Sequence, residues 1–91
     1  MNYPPNHLRQ YARFWAGQGQ NLNSALEAAE RMVSLTPTAF NYDTLSLIHI
    51  KLKDYPEALK AAEKAVEMGG ERAEFYRSKI EPIKKLMAGT N

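Results

Sequence analysis

Apolar residues recur along the chain at helical spacing, and polar or turn-forming residues separate the resulting stripes. Leu8, Tyr11, Ala12 and Trp15 stand at i, i+3, i+4 and i+7, which places four side chains on one face of a helix. Segments of this kind recur over about residues 7–17, 23–35, 38–52, 55–68 and 71–87. The pattern predicts an all-α chain of five short helices, with sequence neighbours antiparallel because the connections are only a few residues long.

Turn and capping residues predict where these helices begin. Tyr3-Pro4-Pro5 is expected to precede the first helix, with Asn6 as its N-cap. Ser24-x-x-Glu27 and Asp54-x-x-Glu57 have the spacing of a capping box, which predicts the starts of the second and fourth helices.

The last segment carries a proline inside a helical pattern. Tyr76, Ile80, Ile83 and Met87 lie on one predicted apolar face, and Pro82 lies between them. Because proline has no N–H to give to a helix, the segment is expected to kink or break near residues 79–81.

One helix sequence occurs twice. ALEAAERMV at residues 25–33 returns as ALKAAEKAV at residues 58–66, with six of the nine positions identical and an offset of 33 residues. A repeat period between about 20 and 50 residues is typical of arrays of similar helical or strand units. The chain is therefore expected to contain two copies of one helical hairpin.

These residues resemble the tetratricopeptide repeat, whose pattern is W-x2-L-G-x2-Y on a first helix and A-x3-F on a second. The second copy reads Tyr42-x2-Leu45-Ser46-x2-His49 and then Ala58-x3-Ala62. The first reads Leu8-x2-Tyr11-Ala12-x2-Trp15 and then Ala25-x3-Ala29. The first helices are offset by 34 residues (42 minus 8) and the second by 33 (58 minus 25), which predicts one extra residue in the first turn.

The resemblance implies an α-solenoid of antiparallel helix-turn-helix repeats in a single domain spanning residues 1–91. Its expected parts are repeat one at about 7–37, repeat two at about 38–70 and a capping helix at about 71–88. About three units are usually needed for such an array to be stable. A dimer partner or a neighbouring domain would relieve that shortage here.

In this family the first helix of each unit lines a concave groove that holds a peptide or a partner helix. Carried onto this chain, the expected groove residues are Arg9, Arg13, Phe40, Asp43, Leu47, Ile50 and Lys51, with Asn6 and Ala16 beside them. Phe40, Leu47 and Ile50 lie off the predicted hairpin face of the third helix. They either form an exposed apolar interface or are covered by the terminal helix or the N-terminal segment.

The two groove arginines allow three interpretations. Arg9 and Arg13 stand one helical turn apart and could bind a carboxylate or an acidic tail. They could instead form a solvated face, or Arg9 could pair with Asp43. Asp43 and Leu47 occupy positions where the family's carboxylate-gripping members carry Lys and Asn, so the resemblance does not imply that activity.

Composition and motifs exclude several function classes. A net charge of +2 is too small for a nucleic-acid footprint, and no apolar run predicts membrane insertion. Absence of cysteine excludes disulfides and leaves the compartment open, with the cytoplasm as the first expectation. His49 is expected to be structural, and no motif for a nucleophile, a phosphate loop, a metal or a cofactor occurs.

The sequence therefore predicts a non-catalytic interaction or assembly module that binds a partner protein or peptide in the concave groove, without a cofactor. Two alternatives stay open. The chain could be the C-terminal piece of a larger enzyme or secreted multidomain protein, or it could form a homodimer through Phe40, Leu47 and Ile50.

Overall fold

The computed structural model describes residues 5–89, with side chains from Gln10 onward except that of Ala16, and over this range it is all-α without a strand. The helices are α1 (Pro5–Gln18), α2 (Leu22–Leu35), α3 (Ala39–Lys51), α4 (Tyr55–Glu67), α5 (Ala73–Arg77) and α6 (Ile80–Gly89), with a 3₁₀ turn at Gly70–Arg72 before α5. The molecule measures 38 × 33 × 17 Å. Since a helix with its side chains is about 10 Å across, the shortest dimension fits two packed helix layers.

Each helix packs on the next one along the chain. α1 contacts α2, α2 contacts α3, and α3 contacts α4, while α4 also contacts both α5 and α6. The connections at 19–21, 36–38 and 52–54 are each three residues long, so each helix returns along its predecessor. α1 also contacts α3, so these two helices lie side by side.

The helix starts differ from those predicted. α1 begins at Pro5, since proline suits the first helical position, and Asn6 therefore lies inside the helix instead of capping it. α2 begins after Asn21, which has a left-handed backbone (φ 51°), so the predicted Ser24 capping box is wrong. Asp54 is the N-cap of α4 as predicted, but within residues 5–89 its side chain makes no capping hydrogen bond.

The same type of cap closes α1 and α3. Gly19 and Lys53 both have left-handed backbones, with φ 68° and φ 63°. The N–H of the following residue bonds five residues back in each case, Gln20 to Trp15 at 3.4 Å and Asp54 to His49 at 2.9 Å. α2 starts three residues after Gly19 (22 minus 19), and α4 two residues after Lys53 (55 minus 53). The extra residue predicted for the first turn therefore lies between this cap and α2.

The predicted break in the last helix is confirmed. Residues 78 and 79 are not helical, and they separate α5 from α6. Pro82 lies four residues after Ser78 and cannot donate to its carbonyl, which accounts for the position of the break. Ile83 is buried, but Met87 is 40% exposed because the apolar packing of α6 ends at Ile83. The predicted apolar face is therefore wrong at its C-terminal end.

The interior consists of two clusters that meet at α3. The N-terminal cluster lies among α1, α2 and α3 and contains Ala12, Ala25, Ala28, Ala29, Met32 and Ile48. The C-terminal cluster contains Ala58, Ala62 and Ile83, with Ile50, Tyr55, Leu59 and Ile80 packed against it. Both copies of the duplicated segment bury the same four positions, Ala25, Ala28, Ala29 and Met32 in α2 and Ala58, Ala61, Ala62 and Ala65 in α4.

α3 buries polar side chains as well as apolar ones. Asn41 donates to the carbonyl of Thr36 at 2.7 Å, and this bond ties α3 to the end of α2. Ser46 donates to the carbonyl of Ala58 at 2.8 Å inside the α3–α4 contact. Asp43 is also buried, and its partners are Arg13 of α1 and Lys79 of the break between α5 and α6. α3 therefore has neighbours on several sides.

Candidate functional site

A groove runs beside α3, between α1 and the C-terminal segment. Its volume is about 100 Å³, and we call it the α3 groove. It is lined by Arg13, Asp43, Ser46, Leu47, Ile50, Lys79 and Ile83. The structure thus brings together four of the residues predicted for the groove, Arg13, Asp43, Leu47 and Ile50.

Asp43 lies at the centre of the groove and holds two cations. Its Oδ2 accepts a hydrogen bond from Nη2 of Arg13 at 3.1 Å and another from Nζ of Lys79 at 3.1 Å. Only 10% of the Asp43 side chain is exposed, compared with 32% for Arg13 and 40% for Lys79. One carboxylate oxygen therefore connects α1, α3 and the break before α6.

Two exposed aromatic rings flank these charges. The guanidinium of Arg13 lies 4.4 Å from the ring centre of Phe40, and Nζ of Lys79 lies 4.8 Å from the ring centre of Phe75. Both distances are within the range of cation–π attraction. These contacts link Phe40, Arg13, Asp43, Lys79 and Phe75 into a continuous row, which we call the aromatic-ionic row. Its three charged members line the groove, and each ring contacts one of them.

The charges of the row do not balance. Arg13 and Lys79 carry two positive charges, and Asp43 carries one negative charge. Nε of Arg13 is buried and donates to no acceptor within the described part of the chain. A buried donor without a partner is unfavourable.

The predicted exposed apolar surface is largely covered. Leu47 is half-buried against the N-terminal cluster, and Ile50 is half-buried against the C-terminal cluster, which includes Ile80 and Ile83. The terminal helix thus covers part of this surface, which is one of the two alternatives that the sequence left open. Phe40, in contrast to Leu47 and Ile50, is exposed, at 39%.

Two other residues predicted for the groove, Lys51 and Arg9, are not among its described lining residues. Lys51 is exposed at the last position of α3 and does not line the groove. The side chain of Arg9 lies outside the described residues, as do those of Asn6 and Ala16. Among the residues whose side chains are described, Asp43 pairs with Arg13 and Lys79. The predicted pair of Arg9 with Asp43 lies outside the described side chains.

Sequence reasoning missed Lys79 and Phe75. Both belong to the segment around the helix break, where the helical phase changes between α5 and α6. In a continuous helix the 3.6-residue period would have fixed the directions of both side chains. The break instead turns Lys79 toward α3. Pro82 was the signal for that break, yet it does not reveal the direction in which the neighbouring side chains turn.

A second pocket lies between α3 and α4. It has a volume of about 230 Å³, and His49, Lys60 and Lys64 are among its lining residues. Both lysines are paired on α4, with Glu57 at 3.1 Å and Glu67 at 3.8 Å. His49 is buried, with Nδ1 4.0 Å from Oδ2 of Asp54.

Metal and membrane functions receive no support from the described residues. Between residues 5 and 89, no group of three or more His, Cys, Asp or Glu side chains could hold a metal ion. No helix in that range is long and apolar enough to cross a membrane.

A scan against protein-family models finds no matching family, and searches of curated proteins and of solved structures find no match either. The tetratricopeptide resemblance therefore depends on the sequence motifs alone. The residues of the α3 groove and of the aromatic-ionic row are the structural features that bear on function.

Proposed function

We propose that this chain is a tetratricopeptide-like interaction module that binds a peptide segment of a partner protein across the α3 groove. In this proposal α1 with α2 and α3 with α4 are two hairpins of one array, and α5 and α6 close it. Two observations support the array. The duplicated segments bury the same four positions, and α1 and α3 end in the same left-handed cap.

The aromatic-ionic row is the observation that supports binding most strongly. Aromatic and arginine side chains contribute a large share of the binding energy at protein interfaces. Here Phe40 and Phe75 are 39% and 50% exposed, and they stand on either side of Arg13 and Lys79. A protein that kept these rings only for its own core would bury them more completely.

The shape of the groove favours a peptide over a small molecule. Ligand pockets usually enclose about 300 to 1,000 Å³, whereas the α3 groove encloses about 100 Å³. The row lies open along the surface and includes residues of α1, α3 and α5. An extended segment can place a few side chains along such a row, while a small cofactor would remain mostly exposed.

The polar groups of the groove also favour binding over catalysis. The hydroxyl of Ser46 donates to the carbonyl of Ala58, so it is engaged in the helix contact. The Oδ2 atom of Asp43 is engaged in hydrogen bonds from Arg13 and Lys79. Among the described residues that line the groove, none is placed to activate a nucleophile.

The test begins with a library of displayed random peptides selected on the immobilised chain. The affinity of a selected peptide is then measured by fluorescence anisotropy for the wild type, Phe40→Ala and Phe75→Ala. Each substitution is expected to weaken binding about tenfold, since interface aromatics contribute on the order of 1 to 2 kcal/mol.

Phe14→Ala is the matched control. Phe14 is 56% exposed on α1 and packs edge-on against Trp15, outside the aromatic-ionic row, so its removal is expected to change the affinity less than twofold. Circular dichroism verifies that each variant is folded. Equal losses in all three variants would contradict binding across the groove, and failure to select any peptide would contradict the interaction module itself.

A second candidate function is assembly through the outer surface of α6. Pro82, Lys85, Leu86 and Gly89 line an apolar pocket of about 450 Å³, and Leu86 is 38% exposed. A closing helix of a repeat array usually presents a polar outer face. α6 exposes Leu86 and Met87 as well as its charged residues. Sedimentation equilibrium tests self-assembly. A mass of 10.3 kDa at every concentration, unchanged by Leu86→Lys, would exclude a homodimer through this surface.

A further inference from the structure

We propose that Asp43 occupies the place of a carboxylate supplied by the partner, so that the α3 groove selects peptides carrying one acidic side chain between apolar ones. This inference depends on the proposed function, because it names the chemistry of the bound peptide. It concerns an acidic side chain within a peptide, held by Arg13 and Lys79.

The geometry around Asp43 is that of a bound anion. Both hydrogen bonds recorded for its carboxylate come from cations on other segments, Arg13 of α1 and Lys79 of the break. Both bonds end on the same oxygen, Oδ2. A carboxylate bound from outside would be held in the same way, by charge-assisted hydrogen bonds from Arg and Lys.

The charge of the row determines the sign of the preferred ligand. With Asp43 ionised, Arg13 and Lys79 leave one positive charge in excess at the groove. A basic peptide is therefore repelled, a neutral one is tolerated, and one carboxylate restores neutrality.

The two ends of the aromatic-ionic row determine which residues of the peptide can flank its acidic residue. Phe40 and Phe75 lie beyond the two cations, one at each end of the row. Phe40 has Arg13 near its face, and Phe75 has Lys79 at 4.8 Å and Arg72 at 5.4 Å. Both rings remain partly exposed, so apolar side chains of a peptide can pack on the exposed area. An acidic residue at the centre with Leu or Phe on both sides fits this order of groups.

Asp43 then competes with the ligand for the two cations. Asn at this position has nearly the same shape and retains an acceptor oxygen, but it removes the negative charge and leaves two unbalanced cations. Acidic peptides are therefore expected to bind the Asp43→Asn variant more tightly than the wild type, on the order of tenfold at low salt. Most substitutions in a binding site weaken binding, so this gain separates competition from a purely structural role.

The experiment uses an array of seven-residue peptides with blocked ends, a central Glu, Gln or Lys, and flanking positions randomised among Ala, Leu and Phe. Wild-type protein is expected to retain central-Glu peptides over their Gln counterparts and to reject those with Lys. The best Glu peptide and its Gln partner are then titrated by anisotropy. Asp43→Asn is expected to raise affinity for the Glu peptide alone.

Glu63→Gln is the matched control for overall charge. Glu63 is exposed on α4 and does not line the groove, so its neutralisation is expected to change either affinity less than twofold. If Asp43→Asn does not fold, Lys79→Met replaces it, because Lys79 is 40% exposed. That variant is expected to reduce the preference for Glu over Gln at least threefold.

The outcomes separate this inference from the proposed function. Peptides that bind equally well with Glu or Gln, and that still lose affinity in Phe40→Ala, overturn the acidic preference and leave the interaction module standing. Asp43→Asn that folds but binds the Glu peptide no more tightly overturns the competition. Absence of binding by every peptide overturns both.

Discussion

Lys53 occupies a backbone conformation that glycine adopts far more easily. Its φ is 63°, the left-handed region, and the equivalent cap of α1 has Gly19 at φ 68°. In the left-handed conformation a residue with a Cβ is about 1 to 2 kcal/mol less favourable than glycine. Replacement by glycine regains only part of this energy, because glycine has a higher conformational entropy in the unfolded chain. Lys53→Gly is therefore expected to raise the free energy of unfolding by about 0.5 to 1 kcal/mol, measured by urea denaturation.

Lys60→Gly is the control for this substitution, because it makes the same exchange inside α4. It is expected to lower the free energy of unfolding by about 1 kcal/mol. A loss of stability in Lys53→Gly comparable to that in Lys60→Gly would show that the left-handed cap is wrong.

Ser46 makes a buried hydrogen bond between α3 and α4. Its hydroxyl donates to the carbonyl of Ala58 at 2.8 Å, and Ala12 fills the corresponding position of α1 without such a bond. Because Ala58 already belongs to the hydrogen-bonded turns of α4, Ser46→Ala is expected to cost about 0.5 to 1.5 kcal/mol. Ser78→Ala removes an exposed bond of the same kind and is expected to cost less than about 0.5 kcal/mol by thermal denaturation.

Pro82 determines where the C-terminal helix is interrupted. It cannot donate to the carbonyl of Ser78, and residues 78 and 79 are the ones that leave the helix. Pro82→Ala is therefore expected to join α5 and α6. Carbon chemical shifts of Ser78 and Lys79 should move toward helical values, and the ellipticity at 222 nm should become more negative.

Pro56→Ala serves as the matched control, because Pro56 lies in the first turn of α4, where no N–H is needed. It is expected to leave the helical signal unchanged. If the shifts of Ser78 and Lys79 in Pro82→Ala stay at their non-helical values, tertiary packing and not the proline imposes the break.

The elements were more predictable than their boundaries. α1 to α4 follow from the 3.6-residue period of apolar positions, and the break follows from Pro82. The starts of α1 and α2 were placed about two residues too late. The prediction relied on side-chain caps at Asn6 and Ser24, whereas Pro5 and the left-handed Asn21 begin these helices.

Part of the groove was predictable from one helix, and the remainder required the whole molecule. The tetratricopeptide resemblance implied Phe40, Asp43, Leu47 and Ile50 on α3, together with Arg13 on α1. Lys79 could not be placed because its direction depends on how α6 packs after the break. The charge balance of the groove depends on that contact, so the prediction lacked the second cation on Asp43.

The two core clusters share α3, which should make the molecule unfold as one unit. Ile48 belongs to the N-terminal cluster, while Ile50 packs against the C-terminal cluster from the same helix. Loss of one cluster therefore removes part of the support of α3, on which the other cluster also packs. For a chain of 91 residues, total stability is expected to be about 5 to 15 kcal/mol, so neither cluster is expected to persist alone.

Ile83→Ala tests this coupling from the far end of the molecule. Ile83 is 1% exposed in the C-terminal cluster, so its truncation is expected to cost about 2 to 4 kcal/mol. Trp15 is the only tryptophan of the chain and packs against the N-terminal cluster, which lets its fluorescence report on the other end. In a cooperative molecule the urea midpoints by Trp15 fluorescence and by circular dichroism decrease together, whereas Leu86→Ala, at an exposed position of α6, changes neither by much. A Trp15 midpoint that stays at its wild-type value while the dichroism midpoint falls would mean that the hairpin of α1 and α2 is stable without the C-terminal cluster.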